Sequence, residues 1–177
     1  MTDLVHAFAI GTFGPTLGSL SNLLDKGAQH AVIQRWDATR LPDARLAPDM
    51  FNLTQQVRLA CLHAKDNVGL LTGLAAPQFE DNETTIEDLK SRIAATIAFL
   101  DGVPASAFDG AAERRVRMPL REGLVLEASG LEFLRDWALP HFYFHVVTAY
   151  DILRHQGVEI GKADYLRHVG YAIKPAG

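Results

Sequence analysis

A single cysteine, Cys61, stands in 177 residues, so no intramolecular disulfide can form and a reducing, cytoplasmic setting is expected. No window approaches 18 unbroken apolar residues, so no membrane span is expected. No Lys or Arg precedes Lys26, and a secretory signal begins with basic residues, so none is expected either. Basic clusters are equally scarce. With 17 Lys and Arg against 21 Asp and Glu the net charge is −4. Non-specific nucleic-acid binding needs clustered cations that displace counterions from phosphate, so that class of partner is set aside. The densest cluster, ERRVR (113–117), has the alternation of an exposed strand. There is no internal repeat, no low-complexity segment and no Gly-x-Ser-x-Gly elbow. GVEIGKA (157–163) has three residues rather than four between its glycines and no hydroxyl after Lys162, which rules out a phosphate loop. Cys61 lies on the apolar side of a predicted helix with no base beside it, and reads as a small core residue.

What remains is an ordinary globular composition, 48% hydrophobic and 21% charged, long enough to bury one continuous core in one domain over 1–177. Leu17, Leu20, Leu24, Ala28 and Ala31 recur at helical spacing and predict a first helix ending near Trp36. Gly11, Gly14 and Pro15 would kink or fray its beginning. DATRLPDARLAPD (37–49) has no period and is a connecting loop, with Asp49 placed to cap a second helix over 50–73. That helix carries Val57, Ala60, Cys61, Ala64, Val68 and Leu71 as its apolar stripe.

LAAPQFEDNE reads as a loop. Thr84 and Thr85 followed by Glu87 and Asp88 form a capping-box pattern for a third helix, which buries Ile86, Leu89, Ile93, Ile97 and Leu100 and stops at Gly102. RRVRMPLREGLVLEA then alternates on either side of REG, placing Val116 and Met118, like Leu124 and Leu126, on one face of a short β-hairpin. A last helix starts near Ser129 or Gly130 and runs to Gln156, with a bend or break expected at the internal Pro140. The tail from Val158 reads as an irregular arm. The predicted class is all-α: a four-helix bundle with a β-hairpin inserted between helices 3 and 4.

Seven histidines punctuate this pattern. His141 and His145 are four apart, so they share a helical face about 6 Å apart, in the apolar run HFYFHVVTAY. A buried imidazole needs partners for its nitrogens. Backbone supplies one answer, the Asp136 carbonyl freed by Pro140 being a candidate. A divalent metal held through neutral nitrogens supplies the other. The spacing alone decides neither, and Phe142 stands where the metalloprotease helix motif requires Glu. His63, alongside Gln56 and Asn67 at the edge of the second helix's stripe, adds a third imidazole from a separate helix. Three histidines would leave open coordination positions, the pattern of a catalytic metal. Asp66, Glu132 and Asp136 are candidate acceptors behind the ligands. His155 suits a structural role at a helix C-terminus. His6, His30 and His168 lack partners at useful spacing and read as surface residues.

RLAPDMFNLTQQV (45–57), HAKDN (63–67), FED (79–81) and ALPHFYFHVVTAYDILRHQGVEIGKADYL (138–166) resemble a bacterial and fungal domain-of-unknown-function family within the DinB-like superfamily of four-helix bundles. The resemblance covers nearly the whole chain. It implies an up-down-down-up bundle that forms a homodimer. It also implies a metal site, since metal-binding relatives use one His of the second helix and an H-x-x-x-H pair of the fourth, positions matched by His63, His141 and His145. Those relatives include thiol-dependent transferases and isomerases that use zinc or nickel. Two readings follow. One is a metal-dependent enzyme, a transferase or hydrolase acting on a small or thiol-linked molecule. The other is a non-catalytic helical dimer that binds a small apolar ligand or a protein partner. No catalytic base stands beside the histidine pair, and the sequence names no substrate.

Overall fold

The computed structural model describes residues 4–37 and 39–173. The first three residues, including Asp3, Ala38 of the predicted connecting loop and the end of the tail lie outside them.

Helix α1 (Leu4–Gln34) begins well before the position expected from the leucine repeat. Val5, Ala9 and Phe13 are fully buried and extend the apolar stripe N-terminally, so packing overrides the helix-breaking residues. Pro15 and Gly11, whose carbonyl the proline leaves without its usual donor, both face solvent, where water replaces the lost bond. After a single turn, α2 (Arg40–Asp43), comes α3 (Leu53–Thr72). Its cap is Asn52 rather than Asp49, because Asn52 pairs with Gln55 in a reciprocal capping box, while Gly73 ends it in the left-handed conformation. Helix α4 (Ile86–Asp101) is capped by Thr85 and Asp88, as the sequence pattern predicts.

Strands β1 (Arg115–Pro119) and β2 (Val125–Ser129) form the expected hairpin, with Met118 opposite Leu126 and Val116 opposite Ala128. Leu124 falls in the turn and is exposed. The final helical stretch starts on the Ser129 cap as α5 (Gly130–Phe133), widens into a π-helical segment (Leu134–Ala138) and continues as α6 (Leu139–His155). The expected break at Pro140 is thus a wide turn just before it. The Leu139 amide donates to the Leu134 carbonyl five residues back, and the proline, which has no amide to donate, follows directly on this widened turn. The tail folds back as α7 (Lys162–Tyr165) and a 3₁₀ turn against α1.

The helix directions follow from their contacts. Asp25 meets Lys90 and His6 meets Phe108, so α1 and α4 run oppositely. Phe13 packs on Phe142 and Gly27 on Leu153, so α1 and α6 run together. Gln56 meets His145 and His63 meets His141, so α3 opposes α6. The bundle is therefore up-down-down-up. Because α3 and α4 are parallel, residues 73–85 must return along the whole bundle. This long connection is pinned by ion pairs of Arg58 and Arg92 to Glu83 and Asp81, and Arg92 is itself buried. One apolar cluster fills the interior from Val5 to Ile160. No helix among the described residues is long and apolar enough to cross a membrane.

Candidate functional site

Antiparallel packing of α3 on α6 brings His63 between the two histidines of the pair. Its ring centroid lies 5.1 Å from that of His141 and 5.2 Å from that of His145. His145 is buried at 8% exposure, and His63 and His141 are half-buried.

Each member of the pair has a defined acceptor on one ring nitrogen. The Gln56 amide nitrogen donates to the Phe51 carbonyl, which turns the amide oxygen toward His145 Nδ1 at 2.7 Å. An amide oxygen only accepts, so His145 carries its proton on Nδ1 and leaves a lone pair on Nε2. His141 Nδ1 likewise donates to the Trp137 carbonyl at 2.9 Å, with the Trp137 ring packed 4.1 Å from the imidazole. Both Nε2 atoms are thereby set as acceptors or ligands.

The acceptors differ from those expected. The carbonyl used is that of Trp137, one position beyond Asp136. Asp66 is paired with Lys65, Glu132 closes the Ser129 cap, and Asp136 pairs with Arg135 on the surface. Gln56 and Asn67 do lie on the same face as His63, and both are buried. Gln56 was legible as a neighbour of His63 but not as a partner of His145, because that contact spans two helices far apart in sequence.

Burial, and then the charges that His145 and His141 would carry, push the His63 pKa down to about 4. Burial first, then His141, does the same to His145, also to about 4. Both are therefore neutral near neutral pH, the form that binds metals. A consequence for stability follows from linkage. Both groups hold fewer protons in the folded chain than at the ordinary 6.5. Their contribution is complete above pH about 6.5 and is lost as the pH falls toward 4. The expected loss for chelator-treated protein is on the order of 3 kcal/mol, since each shift partly counts the other's charge. Urea unfolding at about pH 7 and pH 4.5 reads it. A fall in stability that is no smaller in His63→Asn would assign the effect elsewhere.

The His63 ring lies nearly flat against His145, at 9°. Stacking apposes ring faces rather than lone pairs. Among the described residues no three His, Cys, Asp or Glu side chains are disposed to enclose an ion as they stand. Rotation of the His63 side chain, which has no hydrogen bond to break among those described, is what a shared ion requires. The donor set is chemically fit for one: neutral imidazoles, two of them with oriented Nε2 lone pairs.

The other histidines differ in part from expectation. His155 is exposed at the end of α6 as predicted. His168 accepts from or donates to Ser19 at 3.0 Å, His30 packs edge-on to Trp36, and His6 packs on Phe108, so none of these three is a bare surface residue. Cys61 is fully buried, and burial raises its thiol to about 12, which leaves it inert at neutral pH.

His63 also lines an open cleft of about 580 Å³ between α3, the hairpin turn and Trp137. Residues 5–166 match the sequence pattern of a family described as a domain of unknown function (DUF1993). The crystal structure of a DinB family member protein from Shewanella denitrificans is similar with a TM-score of 0.86 and 40% sequence identity, over 93% of each chain. No curated protein matches the sequence.

Proposed function

Because the chain belongs to the DUF1993 family and shares its fold with a DinB family member, we propose that it is a metal-dependent enzyme in which His63, His141 and His145 hold one divalent cation, zinc or nickel. The observation that supports this reading is the meeting of three imidazoles from two helices, two of them with Nε2 set as an acceptor. When bound, such an ion acts as a Lewis acid and lowers the pKa of a water or thiol that joins it.

The chain's own residues supply the rest. Gln56 and the Trp137 carbonyl fix two ring orientations, and the depressed basicity of His63 and His145 keeps protons from competing at neutral pH. Trp137 and the hairpin wall the approach to His63 and reduce its contact with water. The substrate is a small molecule admitted through this cleft, and transfer or hydrolysis is the reaction class that such an ion serves.

Zinc titrated into chelator-treated, tag-free protein should bind one ion per chain with Kd in about the micromolar range or tighter. No saturable binding by calorimetry would end the proposal.

A second reading draws on a different observation. Pro140, Tyr143, Phe144 and Val147 form an outward strip on α6, and Phe144 is 60% exposed. A large exposed apolar strip marks a contact surface, and it fits the homodimer implied by the resemblance. On that reading the protein is a non-catalytic dimer, and the stacked histidines satisfy one another's surroundings without metal. The same titration separates the two.

A further inference from the structure

The cleft beside His63 has a chemistry of its own. Its walls are apolar: Leu62 and Leu70 from α3, Met118 and Leu120 from the hairpin, and the Trp137 ring. Its volume of about 580 Å³ lies within the range of small-molecule sites. Two charged side chains line it, and they are not equivalent. Asp66 is spoken for, its Oδ1 lying 2.5 Å from Lys65 Nζ. Arg121, in the hairpin turn, has no side-chain hydrogen bond or ion pair among the described residues. The cleft therefore has one uncompensated charge, and it is positive.

Asn67 is the second polar feature. It lies one helical turn beyond His63, is 3% exposed, and lines the same cleft. Its amide nitrogen is buried without a partner, and no hydrogen bond is made by its oxygen among the described residues. A buried amide left unbonded costs on the order of 1–3 kcal/mol, so a group that completes it is favoured. A half-turn of this amide exchanges its nitrogen and oxygen without breaking any bond, which lets it present either a donor or an acceptor to the cleft.

We propose that this cleft takes a small organic carboxylate with an apolar body, its carboxylate held by Arg121 and Asn67 and its body lying against Trp137, Met118 and Leu120. A guanidinium matches a carboxylate with two parallel hydrogen bonds, and an amide donor adds a third. The apolar walls favour a body of aliphatic or aromatic carbon over a sugar or a phosphate-rich group. His63 shares the cleft one helical turn from Asn67, so a molecule held there lies beside the histidines. The inference rests on the reading of those histidines as the reacting centre, and it names the class of molecule delivered to them.

The test uses chelator-treated full-length protein, so that a carboxylate cannot bind through a metal. 4-Phenylbutyrate is the probe and 4-phenylbutan-1-ol its uncharged counterpart, each followed by the NMR signal of the Trp137 indole N–H. The butyrate should saturate and shift that signal, with the alcohol about tenfold weaker, the loss expected for a charge-assisted pair. Arg121→Gln, a surface change that leaves the fold intact, should weaken the butyrate by a similar factor and leave the alcohol unchanged. Asn67→Leu should weaken it severalfold. Equal binding of acid and alcohol, Arg121→Gln indistinguishable from the unaltered protein, or no saturation at about 10 mM would each overturn the proposal. Zinc titration of the same samples keeps the two questions apart. Zinc binding without carboxylate selectivity removes this inference alone, whereas selectivity without zinc binding removes the metal and leaves the cleft.

Discussion

His145→Ala should weaken zinc binding by at least about a hundredfold and reduce the stoichiometry at micromolar protein to nearly nothing. The residue supplies one of the two nitrogens whose lone pair is fixed by a hydrogen bond on the opposite side of the ring. Removing it also strands the Gln56 oxygen in a buried place, so folding must be followed by circular dichroism alongside calorimetry. Gln56→Leu offers a cleaner reading. It keeps the ligand and removes the oxygen that orients it, with an expected loss of about 10- to 100-fold, and because it strands the buried Nδ1–H its folding is followed in the same way. His155→Ala, at the exposed end of α6, is the control and should bind as the unaltered chain does. If His145→Ala binds zinc as tightly as the control, the ion is held elsewhere and the enzyme reading goes with it.

The second large effect concerns the fold. Gly130 opens α5 beneath the turn that precedes β1, and a Cβ there would stand 1.9 Å from the Ala111 carbonyl oxygen. That distance is far inside van der Waals contact. The obstacle is backbone, which cannot swing aside as a side chain can. Gly130→Ala should therefore lower stability by about 3 kcal/mol or more, which for a chain of this length is a fall in Tm of roughly 10 °C. The comparison is Gly11→Ala. Gly11 is exposed within α1 with nothing near its missing Cβ, so alanine there should stabilise by about 0.5–1 kcal/mol. Thermal unfolding of the two variants reads both, and a Gly130→Ala protein that melts with the unaltered one would mean the turn at 109–114 yields freely.

Features written in short stretches were legible in advance. The Thr85 cap, the Gly102 stop and the β1–β2 pairing depend on residues within a few positions of one another. The bundle and the three candidate ligands were reached through family resemblance together with helical spacing, and the structure places the rings in one region. What escaped depends on distant parts of the chain. The early start of α1 comes from burial of Val5 and Phe13 against other helices, which local propensity at Gly11 and Pro15 opposes. Acidic residues near the histidines looked like natural acceptors, yet each is engaged by a closer cation or helix cap. A neutral amide took that place, fixed by the Phe51 carbonyl. The pinning of residues 73–85 by Arg58 and Arg92 was likewise hidden, since nothing local says that two helices run parallel and need a long return.

The π-helical segment before Pro140 has a consequence for how the last helix presents its side chains. A regular α-helix advances about 100° per residue, and the widened turn accommodates about one residue more than a regular turn holds. Everything after Ala138, His141 and His145 included, is accordingly out of phase with residues 130–133 by about that angle. The helix behaves as two angular scales joined with an offset. A deletion of one residue among 134–138 would close the wide turn to a regular one and leave both imidazoles facing α3, whereas a regular turn that kept every residue would swing them by about 100° toward a different neighbour.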